Sequence, residues 1–232
     1  MKVLIVAPMQ IELDGLLQGF TQRGVHSVNG QLGRLPIKQL PELNITLAVG
    51  GFGKTQFGVQ TQHLLDVGNG FEAVLCAGAA GGLAPHVSVG DVVAATTTIE
   101  HDYNNKFTRR PKPSFNGAPT LLAALQFAHV TDTAFKVHYG VIASGDEDIV
   151  DEARGKELRE ATGALAVAWE GVGGARACAF SHVPYVEIRG VTDNADHSAP
   201  SDFRTNLTLA MNNVVALLMA WLQSAGSANP LR

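Results

Sequence analysis

Seven short stretches of the chain are apolar at nearly every position: Val3–Ala7, Ile45–Val49, Ala73–Ala77, Asp91–Thr98, Tyr139–Ala143, Leu165–Trp169 and Tyr185–Val191. Continuous apolarity, rather than in-out alternation, marks strands covered on both faces. Between them lie segments of helical period: Ile11–Phe20, Lys54–Val67, Leu121–Val130, Val150–Ala161, Gly171–Phe180 and Thr205–Gln223. Strand and helix patterns alternate, so the expected fold is α/β, with a mostly parallel central mixed sheet flanked by helices. At 232 residues the chain is sized for a single domain spanning 1–232. Tyr103 to Pro119 interrupts the alternation with Pro111, Pro113 and Pro119 and the basic residues Arg109, Arg110 and Lys112. A mobile loop at the rim of a site is expected there. The tail from Ser224 to Arg232 is expected to fray.

Composition narrows the partners. Hydrophobic residues make up 46% and charged residues 16%, and the 25 glycines are scattered, which fits a packed globular chain and argues against disorder. The formal charge of -4 arises from acids and bases mixed along the chain, leaving no basic stripe to neutralise a phosphate backbone. Nucleic acid is therefore not an expected partner. Cys76 and Cys178 stand in apolar surroundings without metal-ligand spacing, and no signal sequence precedes them, so buried free thiols in a reducing cytoplasm are expected. The apolar run Val214–Leu222 falls short of the roughly 20 residues that span a bilayer and reads as a helix packed on the core or in a subunit interface. The apolarity of Thr205–Gln223 on more than one face points to self-association.

Three carboxylates stand at the ends of predicted strands: Glu12 shortly after the first, Glu170 after Leu165–Trp169, and Asp193 after Tyr185–Val191. An acid where a buried strand ends is partly withdrawn from water, and its pKa can rise until it holds and donates a proton. Taken singly, Glu12 reads equally as a solvated acid complementing a helix dipole, Glu170 as a helix cap, and Asp193 as an Asx-turn. Their common placement, where open α/β sheets bind ligands, favours one shared site. Gly78-Ala79-Ala80-Gly81-Gly82 reads as a turn allowing close backbone approach to a ligand, and Gly50-Gly51-Phe52-Gly53-Lys54 as a turn opening a helix N-terminus. Neither has dinucleotide or P-loop spacing, and the eight histidines form no zinc or triad pattern, so neither cofactor nor metal is expected. His101 beside Asp102 is the one histidine of interest, and Trp169 adjoins Glu170.

These motifs resemble the purine nucleoside phosphorylase/nucleosidase superfamily, and most its hydrolytic branch, the methylthioadenosine/S-adenosylhomocysteine nucleosidases and futalosine hydrolases. The resemblance runs through M-K-V-L-I-V-A-P-M-Q-I-E-L at the start, C-A-G-A-A-G-G-L-A-P-H-V-S-V-G-D-V-V from Cys76, A-S-G-D from Ala143, A-W-E-G from Ala168 and E-I-R-G-V-T-D from Glu187. It implies that Asp193 protonates or hydrogen-bonds the purine N7, that Glu170 grips the ribose hydroxyls, and that Glu12 activates a water that Arg189 helps to hold. Met9 and Phe52 would line the sugar and its 5′ substituent, with Ala79, Gly81, Asp148 and Trp169 completing the substrate site. A homodimer with the site near its interface is also implied. Three positions depart from the family pattern: Ala79 replaces a serine, Asp148 an aromatic that stacks on adenine, and Ala168 an acid. The expectation is an N-ribosyl hydrolase acting on a small-molecule nucleoside whose base or 5′ group differs from the usual one. Two rivals remain open, a phosphorylase and a nucleoside-binding module without turnover.

Overall fold

Each of the seven apolar stretches that open the sequence analysis forms a strand in the structure, a computed structural model that describes all residues except 109, 132–133 and 228–232. In chain order the elements are β1 (Val3–Ala7), α1 (Gln10–Gln22), β2 (Val28–Leu32), β3 (Leu35–Leu40), a 3₁₀ turn (Pro41–Leu43), β4 (Ile45–Val49), α2 (Gly53–Val67), β5 (Ala73–Gly82), β6 (Val92–Glu100), β7 (Ser114–Asn116), α3 (Pro119–Phe127), β8 (Val137–Ser144), α4 (Glu152–Thr162), β9 (Ala164–Ala168), α5 (Gly171–Ser181), β10 (Tyr185–Asp193) and α6 (Ala199–Ser227).

All ten strands join one sheet. Parallel pairings run β4–β1–β5–β10 and β6–β8–β9. Antiparallel contacts link β10 to β6 and β5 to β9, so that β5, β10, β6, β8 and β9 close into a ring. The length of β5 permits this: Ala73–Cys76 pair with β1, whereas Gly81 and Gly82 pair with β9. Side chains from all five ring strands pack together, among them Ala80, Val93, Ile142, Ala166 and Val191, and the small ring admits mainly alanine and valine. The wing β4–β3–β2 is antiparallel and half exposed.

The major core lies between the sheet and α1, α3 and α6. Along α6, Leu207, Met211, Val214, Leu218 and Trp221 are all buried there. Much of its apolar surface is thus covered within the chain, while Leu209 stays half exposed. A stretch of α6, Ala199–Ser224, has the length and mean hydropathy (1.3) of a membrane span, but its burial makes it a core helix.

Other expectations are corrected locally. Residues 224–227 continue α6 instead of fraying; the rest of the tail lies outside the described residues. The second half of the Tyr103–Pro119 segment is clamped as β7 along β6, and Pro119 opens α3 at its first turn, where no amide donor is needed. Arg109 lies outside the described residues.

Candidate active site

The carboxylate-bearing strand ends converge on one cavity of about 400 Å³. All ten residues named from the sequence line it: Met9, Glu12, Phe52, Ala79, Gly81, Asp148, Trp169, Glu170, Arg189 and Asp193.

Glu12 sits in the first turn of α1 and is only 2% exposed. It is not the solvated helix acid that its position permits. Its carboxylate accepts from the Met9 amide at 2.9 Å and, across the sheet, from the Ala79 amide at 2.7 Å. Burial pushes its pKa up to about 7, against the pull of Arg189 and with help from Glu170.

Asp193 closes β10 beyond a bulge that follows Val191. It accepts from the Ala195 amide at 2.9 Å and from the Thr192 hydroxyl at 2.8 Å. The Asx-turn thus exists, yet the same side chain borders the cavity, and burial raises its pKa despite those two hydrogen bonds. An acid held in this state can donate a proton to a ligand atom.

The glycine-rich run is strand, not turn. Gly78 and Gly81 belong to β5, and their missing side chains make room for the acids. A Cβ at Gly78 would lie 2.6 Å from Glu12 Oε1 and 2.8 Å from Arg189 Nη1; one at Gly81 would lie 2.8 Å from Asp193 Oδ1. The second glycine segment is a true turn, with Gly51 and Gly53 at φ +90° and +80°. The α2 N-terminus that follows already receives carboxylates of the protein itself, Glu170 on the Gly53 amide at 3.4 Å and Asp146 on the Lys54 amide at 2.8 Å.

Glu170 occupies the N-cap position of α5 but makes no side-chain cap hydrogen bond. Its second oxygen instead accepts from Arg189 Nη2 at 3.3 Å, and burial raises its pKa. Arg189 is itself 1% exposed and donates to Glu187, to the Ala79 carbonyl at 3.2 Å and to Cys76 Sγ at 3.4 Å. Its hydrogen bonds therefore organise the acids around it. Phe52 and Trp169 lie 4.3 Å apart between ring centroids and form an aromatic wall. Asp148 is exposed at the rim, on a loop held by the two-pronged Arg154–Glu147 pair at 2.8 and 2.9 Å.

The sequence reading missed Pro8, Ile149, Thr192, Ala195, Phe203 and Arg204, which also line the cavity. The immediacy with which α6 follows the Asp193 turn is the signal that could have found Phe203 and Arg204. His101 stays outside the lining; it is buried and neither ring nitrogen is hydrogen-bonded. No described residue of 103–119 lines this cavity; residues 103–107 instead border a separate one beside Lys54, Glu100 and Asp102, and 114–116 pair with β6. Among the described residues, no group of three or more His, Cys, Asp or Glu is placed to hold a metal.

A curled mixed sheet carrying buried acids around a cavity of about 400 Å³ defines an α/β protein with a candidate small-molecule site. The chain belongs to the Phosphorylase superfamily, whose profile matches residues 2–223. It is 27% identical to the 5′-methylthioadenosine/S-adenosylhomocysteine nucleosidase of Shewanella sediminis over 96% of this chain and 99% of that one. A solved nucleosidase of that name from Neisseria meningitidis, in complex with methylthio-immucillin-A, superposes with a TM-score of 0.83 at 25% identity, covering 97% of this chain and 99% of the other. The fold of futalosine hydrolase from Helicobacter pylori is also shared, with a TM-score of 0.84 at 24% identity over 96% and 97% of the two chains.

Proposed function

We propose that this protein hydrolyses the N-glycosidic bond of a purine nucleoside of the adenosine type, modified at the 5′ position. Breaking that bond leaves electron density on the base and positive charge on the sugar, so the base needs a proton donor and the sugar needs a nucleophile and nearby negative charge. The observation that carries the reading is the pairing of two buried acids, Glu12 and Asp193, on one cavity, each with its pKa raised. Asp193 gives its proton to the departing base, which leaves neutral. Glu12 takes a proton from water, whose oxygen bonds to the anomeric carbon as the C–N bond breaks. The products are free sugar and free base, and the two acids exchange their protons back through solvent. Glu170, beside Glu12 and Arg189, binds the sugar hydroxyls and offsets the developing cation. Phe52, Trp169 and Met9 enclose the sugar and its 5′ group.

Phosphorolysis is supported less well. A phosphate nucleophile entering beside Glu12 would meet a carboxylate, and Arg189 already donates to Glu187, Glu170 and the Ala79 carbonyl. Base release from adenosine, inosine, methylthioadenosine, adenosylhomocysteine, 5′-deoxyadenosine and futalosine in phosphate-free buffer tests the proposal. Free base with reducing sugar is expected from at least one of them; a phosphate requirement with ribose 1-phosphate formed contradicts it, as does binding of every candidate without base release.

The proposal extends to a homodimer in the cytoplasm. Phe107 is fully exposed and Phe180 is 77% exposed, apolar surface of the kind that association covers, and the unpaired Cys76 and Cys178 suit a reducing compartment. Light scattering on the purified protein should give twice the 24.5 kDa chain mass; a monomer at micromolar concentration contradicts the dimer.

A further inference from the structure

Glu187 does not line the cavity, yet it is fully buried. It precedes Arg189 by two positions on β10, so both side chains leave the same face of the sheet. One carboxylate oxygen accepts from Arg189 Nε at 2.8 Å, and the other from the Thr98 hydroxyl of β6 at 2.7 Å. A Cβ at Gly171 would overlap that carboxyl, so the first residue of α5 is glycine where the acid needs the space. Three elements thus accommodate a group that an ordinary ion pair does not require, because Arg189 already has Glu170.

The local charge balance gives this arrangement its consequence. One guanidinium faces three carboxylates, Glu12 from α1, Glu170 from the start of α5 and Glu187 from β10. The other titratable groups turned toward them are Cys76 of β5, Tyr185 of β10 and Cys178 of α5. Whatever share of the positive charge Glu187 takes is withheld from the other two acids.

We propose that Glu187 is a positioning residue for the hydrolysis described above: it grips Arg189 by the Nε edge and neutralises it, leaving Glu12 free to act on water. The inference rests on the role given to Glu12. Arg189 is the strongest charge opposing the rise of the Glu12 pKa, so freeing it from Glu187 lets it draw that pKa down.

The test is Glu187→Gln, which keeps shape and an acceptor for Arg189 while removing the charge. The acid limb of the kcat/KM pH profile should move about one pH unit lower, the scale on which a nearby opposite charge shifts a carboxylate. The plateau kcat should fall about tenfold as Glu12 becomes a weaker base, with KM changed less than about twofold. Glu187→Asp, which restores the charge, should return the limb toward its original position. A limb that stays in place while kcat and melting temperature fall together overturns the proposal, since that is what a purely structural residue would give. Carboxyl-¹³C titration of glutamate-labelled protein supplies a second reading that needs no turnover. The resonance lost in Glu12→Gln identifies Glu12, whose midpoint should move to lower pH in Glu187→Gln and return toward the wild-type value in Glu187→Asp; a midpoint that stays in place in Glu187→Gln overturns the proposal. If the wild type releases no base from any nucleoside, the functional reading fails, and this titration still decides the part about Glu187.

Discussion

Glu12 and Asp193 are chemically alike but are held in different surroundings. Glu12 accepts two backbone amide protons and sits beside a guanidinium, so its charged form is supported although burial works against it. At Asp193 burial raises the pKa most, two hydrogen bonds oppose the rise, and the charges of Asp196 and Asp202 add to it. Asp193→Asn should reduce kcat by about 10²–10⁴-fold with nucleoside binding largely kept, measured by steady-state kinetics and calorimetry; loss of binding with kcat retained would contradict the acid role. Glu12 also couples activity to stability. Its pKa rises from 4.5 to about 7 on folding, so between those values the folded chain holds a proton that the unfolded chain has released. Stability from this group is therefore full below about pH 4.5 and is lost as pH climbs through 7, a cost of about 3 kcal/mol. Urea melts of Glu12→Gln should lack that decline, the variant gaining on the wild type as pH rises from 5 to 8 while hydrolysis falls by at least about 10²-fold. Parallel pH dependence in the two proteins would show that Glu12 is not perturbed.

At the scale of elements, β5 is where fold and site meet. Ala73–Cys76 are apolar and anchor the strand against β1, while the glycines beyond them let Glu12, Arg189 and Asp193 approach the backbone. Gly78→Ala should cost about 1–3 kcal/mol in denaturant melts, as overpacking does, and should lower kcat/KM at least tenfold, since the added methyl meets both Glu12 and Arg189. Asp151 provides the contrast: it caps α4 through the Arg154 amide at 3.0 Å and does not line the cavity. Asp151→Ala should cost about 1 kcal/mol and leave kcat unchanged. The two variants separate damage to an element from damage to the site. Strands buried on both faces were legible in the sequence because apolar residues predominate there, the buried Glu187 and Arg189 of β10 being tolerated as a hydrogen-bonded pair. By contrast, β2 (VNGQL) and β3 (LPIKQL) lie on the half-exposed wing, where polar residues, glycine and proline are tolerated and the apolar signal vanishes. The glycines of β5 misled for a related reason. A missing side chain serves a turn and a close approach equally, and only the neighbours distinguish them.

Across the whole molecule, the ring closure was the feature least readable from the chain. It depends on β10 pairing with both β5 and β6 and on two residues of β5 reaching β9, contacts that no local pattern encodes. The candidate site was more legible than the topology: the strand-end acids stood out by position, the resemblance supplied the remaining named residues, and all ten border one cavity. The lining from Ala199 to Arg204 was not foreseen, because helical period identifies a helix without showing which end faces a ligand. The apolar faces of α6 were ambiguous for the converse reason: they describe a helix buried in its own core as well as one shared between chains. The central claim is spatial, with Asp193 on the base and Glu12 on the far side of the sugar. A crystal structure of Asp193→Asn bound to the nucleoside that the wild type cleaves tests it most directly. The account predicts the residue 193 side chain within about 3 Å of purine N7 and a water between Glu12 and the anomeric carbon, on the face opposite the base. A base seated against Glu12, or a nucleoside bound outside this cavity, would contradict it.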